Sequence, residues 1–489
     1  MAVAFAVGLS LRLGFVLLEP PTRLVGDERV WIELARDWRV GSAFDPLRSN
    51  LLFYPPLFPC LVATIEAFLG GPTAVKLTQA LAGALLVPAV GLAGVRLFGP
   101  RAGVLAAFFV ALYPELVWYS AHFWSEPLFL VLLWWSIERL LFADAETNTS
   151  AALAAGLLCG LASLTRETAL YFAPLAAVWL TWARSPRAAR RGTAFVLGVV
   201  LTVGPWTARN WLVFRAFVPV SVMGGRALWE GNTDLSPGEV YARYDAVGGP
   251  NALVDRHRLA MREAVRNIIA RQPTWFFEKI VEQMPRFFAA DNLVIVHLKR
   301  QAYGPVTPTV AWSVAALTLV PYILTLGLFS WGLARLRPTR AQALLLTFIA
   351  YYLLVHVVVH AFSRYRLPCV PGLLLVAASA WAGRREPWLP PALARQVFAG
   401  VLVVLLARCS LPALRDHVRD PLFGLVEGAR GETPKRSRRS RLARSHSGGA
   451  TEGTGVTRRC SPSLRFSSST VFRCEGSSAR SRSSYGSRS

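Results

Sequence analysis

Apolar runs close to twenty residues long recur along this chain, and each can cross about 30 Å of hydrocarbon as a helix. Inside a bilayer the backbone finds no water, so such runs must satisfy their own N–H and C=O groups. Helices are therefore predicted over about 2–18, 74–98, 103–113, from 125 onward, 151–164, 168–182, 192–205, within 306–333, 341–360, 367–382 and 393–411. A composition that is 53% hydrophobic over 489 residues, with 16 Trp, agrees with this and not with a water-soluble domain. The expected fold class is an all-α polytopic membrane protein. No βαβ alternation, glycine-rich phosphate loop or Walker sequence occurs, which argues against a nucleotide-binding fold. The six cysteines are scattered without a CxxC pair, so neither a zinc site nor a disulfide framework is indicated. The first apolar run has no basic leader or small-residue cleavage site and is expected to be a retained helix.

The net charge of +24 is unevenly spread. The stretch 428–489 carries 14 Lys+Arg against 3 Asp+Glu in an Arg/Ser/Gly-rich background, is expected to be a disordered tail, and is given no function. Residues 1–427 are then the functional domain. Short joints carrying Arg96 and Arg101, Arg184 to Arg191, Arg335 to Arg340, and Arg384 with Arg385 fall on one side if the amino end is cytoplasmic, in keeping with the positive-inside tendency. The same count places the first loop (19–72), Glu126, Arg166, Arg209, a large loop (214–305) and Arg364 on the other, extracytoplasmic side of the inner membrane. The basic tail would fall outside too, which conflicts with the rule unless a span near the carboxyl end is missed.

The segment 24–38, Leu-Val-Gly-Asp-Glu-Arg-Val-Trp-Ile-Glu-Leu-Ala-Arg-Asp-Trp, puts adjacent acids Asp27 and Glu28 where the chain leaves the first helix. Gly26 allows a sharp turn there. Val30, Ile32, Leu34, Ala35 and Trp38 suit a helix lying along a membrane surface. Further on, the tandem prolines of Phe53-Tyr54-Pro55-Pro56-Leu57-Phe58-Pro59 predict a rigid extended piece. Arg12, mid-span, must meet protein or water, either a phosphate or a partner carboxylate.

Guanidinium forks at helix ends on a membrane surface match phosphate oxygens, and a carboxylate at the same level can take a proton from an acceptor hydroxyl. The combination describes sugar transfer from a polyprenyl-phosphate donor. A phosphate leaving group needs no proton, so one general base and cationic stabilisation suffice.

The order of motifs is also familiar. Gly26-Asp27-Glu28, Tyr54-Pro55-Pro56-Leu57-Phe58-Pro59, Tyr113-Pro114, Ser125-Glu126-Pro127, Gly160-Leu161-Ala162-Ser163-Leu164-Thr165-Arg166, Pro205-Trp206-Thr207-Ala208-Arg209-Asn210, Gly231-Asn232 and Arg364-Tyr365-Arg366-Leu367-Pro368 follow one another over residues 1–385. In this the chain resembles the integral-membrane GT-C glycosyltransferases, in the bacterial group related to protein O-mannosyltransferases and lipid A aminoarabinose transferase. The resemblance implies a GT-C fold of about 11–13 transmembrane helices with extracytoplasmic loop helices. It implies a catalytic acid at Asp27 with Glu28 beside it, a second acid at Glu126, and inversion at the anomeric carbon. Arg166, Arg209 and Arg364 are assigned to the donor phosphate by position and charge. The partners would be a polyprenyl-phosphate sugar, a lipid, glycan or protein acceptor, and membrane lipid, without nucleic acid; no cofactor is assigned, and a divalent metal is left open.

Structural readings stand beside these. Asp27 and Glu28 could be solvated loop acids, Glu126 a helix cap before Pro127, and Arg209 a snorkelling anchor. Arg364 and Arg366, two residues apart, cannot point the same way. Glu115 and Glu167 read as loop acids. His356 and His360 have i,i+4 spacing but lack the Glu of a His-Glu-x-x-His pattern, which favours helix packing. The rival class is a polytopic transporter or lipid-carrier flippase, which predicts two similar halves with interrupted helices. No such duplication is visible.

Overall fold

Helices form wherever the apolar runs predict them, and the joints between the runs build the site. A computed structural model describes residues 1–19, 24–41, 50–182, 187–249, 251–336, 338–382 and 390–404, all within one compact unit. In chain order the helices are α1 (Ala2–Leu18), α2 (Glu28–Arg39), α3 (Leu57–Phe68), α4 (Gly71–Phe98), α5 (Pro100–Leu112), α6 (Pro114–Tyr119), α7 (Glu126–Ala145), α8 (Thr149–Thr165), α9 (Thr168–Thr181) and α10 (Ala188–Phe214). They continue as α11 (Met223–Gly231), α12 (Pro237–Asp245), α13 (Ala252–Ala270), α14 (Thr274–Phe287), α15 (Leu293–Lys299), α16 (Pro308–Arg335), α17 (Arg340–Val358), α18 (Val370–Trp381) and α19 (Pro391–Val403), with a 3-10 turn over Ser363–Cys369. No strand occurs among the described residues. Arg184, Arg337, Arg384, Arg385 and the expected tail 428–489 lie outside them.

By length and apolarity, α4, α16 and α17 can each cross a membrane, and α1, α3, α5, α8 and α9 are shorter apolar helices. Within the bundle α8 and α10 pack most closely, because Gly156 and Gly160 face Gly198 and Thr202. A Cβ on Gly156 would come 2.0 Å from the Phe195 carbonyl oxygen, and one on Gly198 2.5 Å from that of Leu153. Small residues four apart let two helices touch backbone to backbone, the usual device where lipid removes the hydrophobic drive for association.

Arg12 is turned toward backbone carbonyls of its own helix and of α5. Its guanidinium donates to the carbonyls of Gly8 (3.0 Å), Ala111 (3.2 Å) and Val110 (3.4 Å), satisfying orphan acceptors at the end of α5.

Three local expectations are corrected. The proline segment does not stay extended: Pro56 caps α3 and Pro59 lies in its first turn, where a missing N–H costs nothing. The seventh predicted helix does not stop at Pro205 but runs to Phe214, with the proline inside it. The large loop is five helices, and it shares an apolar core with the first loop. Trp31, Leu34 and Phe58 cluster there with Trp229, Val240, Tyr244 and Val254.

The charged joints separate to the two ends of α7. Near its carboxyl end Glu138 pairs with Arg96 (3.1 Å) and Arg139, and Asp144 pairs with Arg340 (3.2 Å) and Arg191 (3.7 Å). Glu126 begins the same helix, about 27 Å away at 1.5 Å per residue.

Candidate active site

Gly26, at φ +65°, turns the chain so that Asp27 stands as the residue preceding α2. The Asp27 carboxylate is buried (6% exposed) and its Oδ2 accepts from Arg364 Nη2 at 2.9 Å. Arg364 sits on the 3-10 turn, stacked against Trp124 (5.1 Å) and Tyr365 (5.3 Å). Burial alone would depress its pKa, but Asp27 outweighs this and raises it, so the guanidinium stays charged.

A second pair lies beside the first. Glu126, the first residue of α7, meets Arg166 Nη1 at 2.6 Å, and Arg166 also donates to Ser125 Oγ at 3.4 Å. Arg166 follows the last residue of α8, in extended backbone that ends the helix. Burial lowers its pKa and the Glu126 charge raises it, with a net rise. Arg166 feels Arg364, and Arg364 also feels Glu126, so the two buried carboxylates and the two partly buried guanidiniums form one set of opposed charges. The Tyr54 and Tyr119 hydroxyls, Trp124 Nε1 and Arg364 Nε are buried nearby without a hydrogen-bond partner. Such polar atoms are rarely left unpaired in an interior built only for stability.

Glu28 faces the other way. Its Oε1 accepts from the Phe123 amide (3.1 Å) and its Oε2 from the Val25 amide (2.9 Å), while His297 Nε2 approaches at 3.7 Å. Burial pushes this carboxyl up, but His297, His122 and the Val25 amide together hold it below the ordinary range. Behind it Glu19 Oε1 meets His122 Nε2 (3.1 Å), Lys76 Nζ donates to Glu19 Oε2 (3.0 Å), and Tyr303, 3.2 Å from His122, takes a hydrogen bond from Trp118 Nε1 (2.6 Å). Burial drives the His122 pKa down to about 4, so this imidazole is neutral at pH 7. The network joins α1, α2, α4, α6 and α15 around the turn that presents Asp27.

Of the sequence-assigned residues, Asp27, Glu126, Arg166 and Arg364 converge, and Glu28 supports them from behind. Arg209 does not join them. It bonds Asn210 Oδ1 (2.9 Å) and lies over Trp206 (4.6 Å), which in turn meets Trp38 (6.1 Å) near the far end of α2. That is about 16 Å along the helix from Asp27. Arg366 turns away to the carbonyls of Ala289 (2.5 Å) and Asp291 (2.7 Å). Glu115 is buried and Glu167 partly so, rather than solvated, and burial lifts each to about 7. His356 bonds the Tyr352 carbonyl (2.8 Å) and His360 that of Ala227 (3.2 Å). Among the described residues no three His, Cys, Asp or Glu side chains are grouped to hold a metal ion. Sequence reasoning missed the Glu19, Lys76, His122 and His297 network. Its one visible signal was polar residues set inside aromatic or apolar runs, His122 in Trp118–Trp124 and His297 in Leu293–Leu298.

Residues 54–207, which carry α3 to most of α10 with Glu126 and Arg166, match the family model of dolichyl-phosphate-mannose-protein mannosyltransferase. This match covers about a third of the chain. Among solved structures this chain is similar to the apo Archaeoglobus fulgidus oligosaccharyltransferase, at 14% identity and TM-score 0.47, covering 83% of this chain and 54% of that one. It is also similar to the archaeal oligosaccharyltransferase AglB from the same organism in complex with an inhibitory peptide and a dolichol-phosphate (15%, TM-score 0.47, 83% and 54%). A third is ArnT from Cupriavidus metallidurans bound to undecaprenyl phosphate (16%, TM-score 0.43, 87% and 73%). The chain spans about half the length of the archaeal structures it matches. No protein of curated function matches it in sequence.

Proposed function

We propose that this protein transfers a sugar from a polyprenyl-phosphate donor to a hydroxyl acceptor at the extracytoplasmic face of the membrane. The observation that carries the reading is the Asp27–Arg364 pair set beside the Glu126–Arg166 pair, at the end of the bundle away from the arginine-rich joints. In the proposed step the Asp27 carboxylate takes the acceptor O–H proton while the acceptor oxygen bonds the anomeric carbon from the face opposite the phosphate. The C–O bond to phosphate breaks with its electron pair, giving inversion and a polyprenyl phosphate. Arg364 and Arg166 stabilise the charge that grows on the leaving oxygens. Glu126 holds Arg166 in place, Glu28 holds the turn beneath Asp27, and Arg209 has no direct part. The family match over residues 54–207 supports glycosyl transfer.

The test is to incubate the purified protein with polyprenyl-phosphate sugars and follow release of polyprenyl phosphate. Wild type should release it in an acceptor-dependent manner, whereas a transporter would release none. Asp27→Asn keeps a hydrogen-bond acceptor for Arg364 but removes the base, and should cost about 10²–10⁴ in turnover without loss of folded protein. Near-normal turnover in this variant would remove Asp27 from the chemistry.

A further inference from the structure

Helix α14 is built inside out. Its inner face carries Trp275, Lys279, Gln283 and Phe287, buried at i, i+4, i+8 and i+12, so two polar side chains point inward. Its outer face shows Phe276 (40% exposed), Phe277 (69%) and Val281 (60%). The inward polar groups are all used: Trp275 Nε1 donates to Asn232 Oδ1 (2.9 Å), Lys279 to the Gly231 carbonyl, and Gln283 Oε1 accepts from the Ala361 amide (2.9 Å). A helix washed by water on its outer side would arrange these residues the other way round.

What lies against that outer face follows from its neighbours. α14 packs on α17, one of the helices able to cross a membrane, whose Leu354 is itself half exposed. The apolar surface of the spanning bundle therefore continues onto the large loop. Apart from the inward Lys279, residues 252–287 also carry six Arg against four Asp and Glu, and Arg258 and Arg266, largely exposed on α13, pair with Asp255 and Glu263. An apolar face flanked by excess positive charge is the pattern of a helix seated at the surface of an anionic bilayer. We infer that α14 is embedded in the lipid of the membrane, its Phe276, Phe277 and Val281 face against acyl chains. Its inner face is fastened three residues upstream of Arg364, so the seat fixes the depth at which that arginine meets the boundary between lipid and water.

The test is photo-crosslinking of the full chain in nanodiscs of phosphatidylethanolamine and phosphatidylglycerol. A benzophenone amino acid replaces Phe277 or Val281 in turn, or Glu239 on exposed α12 as control, and adducts are read by mass spectrometry. Phospholipid adducts at 277 and 281, several-fold above those at 239, are expected. Equal yields at all three positions, or adducts at 277 and 281 only to protein, would overturn the seat. The readout needs no donor or acceptor, so it stands or falls separately from sugar transfer. A Phe277→Ser, Val281→Ser double variant should lose the preference of the α14 backbone for slow hydrogen exchange in nanodiscs over detergent-free amphipol; unchanged protection would also count against lipid contact.

Discussion

Asp27 and Glu28 are adjacent in the chain, yet their carboxylates serve different partners. One meets a guanidinium at the centre of the site, and the other ties down two backbone amides and an imidazole. Glu28→Gln gives a pH test of that difference. Because the folded carboxyl lies below its ordinary range, the stability its charge adds is present above about pH 4.3 and is lost as pH falls toward the depressed value. The Tm deficit of the variant in detergent should thus be clear at pH 7 and shrink near pH 4; an equal deficit at both would contradict the assignment. Arginines separate in the same way. Arg166→Ala should raise the apparent KM for the lipid-linked donor about tenfold, the loss of one charge-assisted hydrogen bond, whereas Arg209→Ala should change it less than about twofold. The acids and arginines were legible as residues, and Asp27, Glu126, Arg166 and Arg364 do come together. The division of labour was not, because it depends on contacts 95 and 337 residues apart along the chain.

Helices were the most legible elements, since hydrocarbon leaves the backbone one choice over each apolar run. Prolines misled the reading because their cost depends on position: near a helix start Pro56 and Pro59 are cheap, and Pro205 is tolerated inside a long helix. The α8–α10 crossing also escaped notice, although Gly156 and Gly160 are four apart in the sequence. Gly156→Val should force these backbones apart at a cost of about 1–3 kcal/mol. Arg166 ends α8, so transfer activity should fall with the Tm; a variant with unchanged Tm and activity would show that the crossing is slack.

At the scale of the whole molecule, the two ends of α7 define two poles, one holding the paired acids and arginines, the other the ion pairs of Glu138 and Asp144. Counting charged joints predicted this separation, and it yields a topology test. A reporter active only outside the cytoplasm should work when fused between α11 and α12 and fail when fused between α16 and α17. The reverse pattern would put the proposed chemistry on the wrong side. One feature also bears on biogenesis. Asp27 emerges with the first helix, but the arginine that pairs with it arrives 337 residues later. A ribosome must deliver nearly every span before the two can meet, so on the proposed reading a partly inserted chain has no complete site, and competence comes only when its last third has been threaded into place.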